Sequence, residues 1–137
     1  MRSNSEIQNK ISELEVSGDP TNFKKVTLAM FLPYEMVKEH LDDSITEEIW
    51  KEEQEKINLA EEIKDTLETL IHIMKHRELK MLPRAAGKFQ ILMWLYGDDN
   101  LVEGMLSPEL TGQPLQRFAL VCNHFGWDLN ELSKCGH

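Results

Sequence analysis

Between Ser44 and Pro83 the chain contains neither glycine nor proline. These two residues stop helices most sharply, so residues 45–82 can form one continuous helix. Ser44 and Glu47 have the spacing of a capping box that would start it. At 1.5 Å per residue such a helix is about 55 Å long. A compact globule of this size has a diameter of roughly 37 Å. The rod would overhang its own body, so either it breaks or another molecule covers the overhang.

The apolar pattern changes along this stretch. Ile45, Ile49 and Trp50 begin a face, and Lys51 to Lys56 is then polar all round. From Ile57 a stripe resumes through Ala60, Ile63, Leu67, Leu70, Ile71, Met74 and Met81. Ala60, Leu67, Met74 and Met81 share a heptad phase, with Ile63 and Leu70 three residues on. About three heptads is short for a coiled coil, and the same residues also make the core face of a bundle helix.

Helix signals continue on both sides. Ser3 and Glu6 form a capping box ahead of Ile7, Ile11 and Leu14, with Gly18 as the stop and Asp19-Pro20 as the next start. Phe23, Val26, Met30, Tyr34, Val37 and Leu41 make one stripe. Pro33 interrupts it, which predicts a kinked helix or two abutting helices. Residues 84–96 are apolar on most sides, the mark of a central buried helix, and Gly97 ends it. Asn100 with Glu103 caps a short helix to Leu106, and a helical turn follows from Ser107-Pro108 to Thr111-Gly112. Pro114 opens a helix that runs to Phe125, with Gly126 as its stop. Asp128 and Glu131 cap a last turn, with Trp127 tucked into the core. No segment alternates with period two over strand length. The expected fold class is all-α, a bundle of about five to seven helices with one long helix near residues 45–82, in a single domain over 1–137. The expected core includes Phe23, Met30, Leu67, Leu70, Phe89, Leu92, Leu95, Phe118, Val121 and Trp127.

Charge narrows the class of partner. The net charge of −9 is unevenly spread, with 13 acidic against 4 basic residues between 35 and 69, and 5 basic against 1 acidic between 70 and 96. An acidic chain repels phosphate backbones at long range. Nucleic acid is therefore an unlikely partner except through a basic partner protein or through the local segment 75–88, with Lys75, Arg77, Lys80, Arg84 and Lys88. Cys122 and Cys135 form no CxxC pair, which fits reduced thiols in a cytosol-like compartment. The N-terminus lacks the apolar run of a signal peptide, and the longest apolar run, Ile91 to Tyr96, is far short of a membrane span. A cytoplasmic protein without a membrane anchor is the expectation.

Several constellations carry candidate chemistry. His72 and His76 lie four apart with Glu68 one turn earlier, so all three share a helix face and are weak candidates for one metal ion. The zinc-helix motif places Glu directly after the first His, and here Ile73 stands there. Glu62 and Asp65 form Glu-x-x-Asp, which resembles in composition the magnesium-binding pairs of all-α nucleotide pyrophosphohydrolases. Arg117 and His124 flank six residues, a spacing that resembles the Arg-x(4–6)-His motif of HEPN-type ribonucleases. In that family His acts as acid or base and Arg steadies phosphate charge, but the polar residue usual after the Arg is replaced by Phe118. Tyr96-Gly97-Asp98-Asp99 is identical to a four-residue polymerase signature, yet a palm needs a further aspartate on a strand and a far larger chain. Here the letters read as a glycine stop and the next cap. Phe118 to Lys134 has the outline of a helix-turn-helix, but its second helix carries Asp128 and Glu131 where base-reading groups belong. No phosphate-cradling glycine loop or nucleophile elbow is present, and no cofactor is implied.

The functional expectation is a non-enzymatic regulatory or adaptor protein that works by protein–protein binding and self-associates, as a homodimer with a further, basic protein partner. Its contact residues are expected at Trp50, Glu52, Glu53, Lys75, Arg77, Lys80 and Arg84. The alternatives are a small all-α enzyme, either a metal-dependent phosphohydrolase or an Arg/His ribonuclease, and a nucleic-acid-associated regulator.

Overall fold

The computed structural model describes residues 1–17, 23–105 and 114–135. Among the described residues there are nine α-helices and no strand, so the fold is all-α. The helices are α1 (Asn4–Val16), α2 (Phe23–Ala29), α3 (Tyr34–Val37), α4 (Glu47–Glu55), α5 (Leu59–His76), α6 (Leu82–Tyr96), α7 (Asp99–Met105), α8 (Pro114–Phe125) and α9 (Leu129–Cys135). Short 3₁₀ turns at Lys38–His40 and Leu79–Met81 follow α3 and precede α6. The expected Gly18 stop, the Asp19-Pro20 start and the turn over 107–112 lie outside the described residues.

The single rod expected over 45–82 is not formed; the segment breaks twice. The first break follows α4. Residues 51–56 carry no apolar stripe to extend the helix beyond the Gln54 contacts, and α4 ends at Glu55. The Lys56 and Ile57 amides close tight turns onto the Glu53 and Gln54 carbonyls. The Asn58 side chain then accepts from the Glu61 amide at 3.3 Å and starts α5 afresh. The second break is at Arg77, which adopts a left-handed conformation with φ 55°. The Glu78 amide reaches back to the Ile73 carbonyl at 3.0 Å, and the Arg77 amide bonds the same oxygen. This is a helix-terminating turn of the kind glycine usually makes, built here without one. Met81, the last member of the heptad phase, falls beyond the stop and is exposed.

Folding back at Arg77 lays α6 against α5, the most extensive helix–helix contact among the described residues. The stripe on α5 then meets its partner. Ile63, Leu67, Leu70 and Ile71 are buried against Phe89, Leu92 and Leu95 of α6. Each fully buried aliphatic side chain contributes on the order of 1.5–3 kcal/mol. The Phe89 and Phe118 rings meet edge to face at 6.5 Å and join α8 to this core. Of the expected core, Phe23, Met30 and Trp127 are only half-buried, and the other seven are buried. Gly97 and Gly126 end α6 and α8 at φ 86° and 77°, as their positions in the sequence predict.

The N-terminal half is stitched on by polar contacts to main chain. Pro33 separates α2 from α3. It leaves the carbonyls at the end of α2 without helical partners. The Trp50 indole N–H donates to the Leu32 carbonyl at 2.9 Å, and the Gln54 amide donates to both Met30 and Leu32. These bonds hold α4 against α2. The start of α4 is capped by Thr46, which accepts from the Ile49 amide, and not by Ser44. Ser44 instead donates its amide to Asp42.

Two predictions follow from this local chemistry. Replacing Arg77 with glycine relieves the left-handed strain, and Arg77→Gly should stabilise the fold by about 0.5–1 kcal/mol in urea denaturation. Glu6 is held below the ordinary carboxylate value by the Ser3 amide and hydroxyl, and Asp42 by the Ser44 amide. Both shifts are downward, so their stabilisation is fully present above the unfolded-state values and is lost as pH falls through the lower folded-state values. Stability should hold down to about pH 4.5 and decline below it. Glu6→Gln/Asp42→Asn should flatten that decline.

Candidate functional site

The contact residues expected from sequence lie on α4, on the last turn of α5, in the turn after it and on α6. Trp50 is buried, at 7 % exposure, with its indole N–H committed to the Leu32 carbonyl, so little of its side chain is open on α4. Its position beside a polar run suggested a contact residue, but the neighbour that buries it lies 18 residues away, out of reach of any local pattern. Glu52 and Glu53 are exposed on α4, and Glu53 pairs with Lys56 at 3.4 Å. The basic segment is scattered. Lys75 donates to the Ser133 carbonyl on α9, Arg84 lies over the Phe23 ring of α2 at 5.5 Å, and Lys88 pairs with Glu62. Arg77 forms the left-handed turn, and Lys80 is exposed on the 3₁₀ turn that follows.

The His72 and His76 rings lie 4.4 Å apart, tilted by 48°, on the last turns of α5. Among the described residues no three His, Cys, Asp or Glu side chains are grouped to hold a metal ion, so Glu68 does not join the two rings as a ligand set. Glu62 of the Glu-x-x-Asp pair is engaged by Lys88. No described helix is long and apolar enough to cross a membrane. Cys122 is buried, and burial pushes its thiol up and away from the reactive thiolate form.

The structure assembles a cluster that the sequence showed only in pieces. His124, in the last turn of α8, has Nε2 2.9 Å from the Tyr96 hydroxyl and 3.8 Å from an Asp98 carboxylate oxygen. The other Asp98 oxygen accepts from the Leu101 amide, so Asp98 starts α7, two residues earlier than the Asn100 cap expected. Tyr96 and Phe125 are in ring contact at 5.0 Å, and Phe125 stacks on Trp127 at 4.5 Å. The Trp127 amide closes the end of α8 onto the Cys122 carbonyl at 2.8 Å. Arg2 donates to the Trp94 carbonyl and pairs with Asp99 at 2.7 Å. The glycine stop and aspartate cap at Gly97-Asp98 thus do structural work. Tyr96 and His124 tie the ends of α6 and α8 together across 28 residues of sequence.

The second feature is a groove of about 620 Å³ between α1, α2, α3 and α4, a size within the range of ligand-binding clefts. Its floor is apolar, with Ile11, Met30, Leu32, Met36, Leu41 and Trp50. One wall is the face of α1 from Gln8 to Glu15, and the other carries Lys25, Val26 and His40. Val26 is 59 % exposed on this wall. The sequence placed Val26 and Met30 on a core stripe, because a period of helical spacing looks the same whether the face is covered or open.

Comparison of the chain with protein-family models, with curated proteins and with solved structures found no match.

The Tyr96–His124 contact should be measurable. Tyr96→Phe removes the hydroxyl and keeps the ring, and should cost about 1 kcal/mol in urea denaturation. The cross-peak pattern of the His124 ring in NMR spectra should change with it.

Proposed function

We propose that this protein is a non-enzymatic protein-binding module, acting as a regulator or adaptor, that captures an apolar segment of a partner in the groove between α1, α2, α3 and α4. The observation that carries the reading is the groove itself, a cleft of about 620 Å³ lined by apolar side chains with Gln8, Asn9, Ser12, Glu15, Lys25 and His40 among them. Apolar floors with polar rims are the usual anatomy of protein contact surfaces. No overhanging rod contributes to association, because α5 ends at His76 and α6 packs along it. A second copy of the chain is the other occupant this surface admits, and would make the protein a homodimer.

The groove reading has a direct test. Val26→Asp places a charge on the exposed wall without touching the buried core. It should weaken capture of the native partner, or self-association in sedimentation equilibrium, by about tenfold. Glu52→Lys/Glu53→Lys on exposed α4 should leave binding within about threefold. A partner that stays bound to Val26→Asp but is lost from the α4 variant would move the site off the groove.

A further inference from the structure

We infer that the segment the groove takes is a basic amphipathic helix of about two to three turns. This rests on the reading of the groove as a protein-docking surface and adds the chemistry of the occupant.

Length comes first. The α1 wall runs from Gln8 to Glu15, a rise of roughly 10 Å, or two helical turns. A helix laid along such a wall presents apolar side chains at i, i+3 or i+4, and i+7. The floor suits them. Met30 and Met36 line it, and unbranched thioether side chains adjust to the shape of whatever apolar group arrives. Val26 extends the apolar surface onto the wall.

Charge selects the outer face of the occupant. Glu15 lies on one wall, and His40 and Leu41 line the opposite side. Glu39, Asp42 and Asp43 flank those two residues in sequence and are exposed. None of these four carboxylates has an ion pair among the described residues. The groove lining itself is balanced, the Glu15 carboxylate against the Lys25 ammonium with the His40 imidazole, and the negative excess comes from Glu39, Asp42 and Asp43 beside it in sequence. A helix with lysine or arginine on its outer face would find carboxylates along both edges. An acidic helix would meet repulsion there.

The test uses three synthetic peptides of about 14 residues. They share a leucine face and carry lysine, glutamine or glutamate elsewhere, and binding is read by fluorescence anisotropy. The lysine peptide should bind about tenfold tighter than the glutamine peptide, with the glutamate peptide weakest, and the advantage should shrink as ionic strength rises from about 0.05 to 0.5 M. Glu39→Lys/Asp43→Lys should remove the advantage. The neutral change Val26→Asn should weaken the lysine and glutamine peptides alike by about fivefold. Equal affinity for these two peptides, or preference for the glutamate peptide, overturns the charge assignment, while sensitivity to Val26→Asn keeps the groove as the docking surface. Binding that Val26→Asn leaves intact, or no saturable binding of any peptide, removes the groove and the inference together.

Discussion

The reversal at Arg77 is the constraint on which the arrangement of helices depends. One residue in the left-handed region ends α5 and turns the chain so that the most apolar helix, α6, returns along it. Without that turn the stripe of Ile63, Leu67 and Leu70 has no partner within the molecule. With it, the same stripe becomes half of the core; α2 packs on α6, α9 on α5, and α8 joins through Phe118 and His124. The strain of a side chain at positive φ is small, about 1–2 kcal/mol, against burial of several large side chains on each helix.

A different kind of contact shapes the N-terminal half. The end of α2 is held by side-chain donors and not by apolar packing alone. Trp50 and Gln54 satisfy the Met30 and Leu32 carbonyls that Pro33 leaves open. Unmet carbonyls at a buried helix end would cost about 1–3 kcal/mol each. Their satisfaction by α4 fixes the distance between α4 and α2. The groove lies along the side of this junction, so its floor is set by hydrogen bonds of defined length.

Much of the fold was legible in the sequence because its signals are local. Gly97 and Gly126 mark helix ends, Pro114 marks a start, and the apolar run from Ile91 to Tyr96 marks the central helix. The errors share a cause. The absence of glycine and proline between 45 and 82 permits a continuous helix, yet Asn58 with Glu61 inside the segment is itself a capping signal. Arg77 gave no such signal, since a left-handed arginine is chosen by what packs around it. The candidate site was harder to see. Whether Val26 faces a core or a groove, and whether Trp50 faces solvent or Leu32, depends on helices distant in sequence. Tyr96 and His124 meet for the same reason, without any motif that joins them.

Gly87 gives α2 a role that reaches beyond packing. A side chain carbon at Gly87 would stand 3.1 Å from the tip of the Phe23 ring and 3.2 Å from the Lys24 chain, so the side chains of α2 sit tightly against the bare backbone of α6 there. The far side of the same short helix carries Lys25, Val26 and Ala29, which wall the groove. With only seven residues, α2 behaves as a single stiff pawl: seated on Gly87 behind, aimed at the cleft in front. The width of the cleft is therefore gauged from the rear of the molecule, by the one position in α6 that has no side chain to spare.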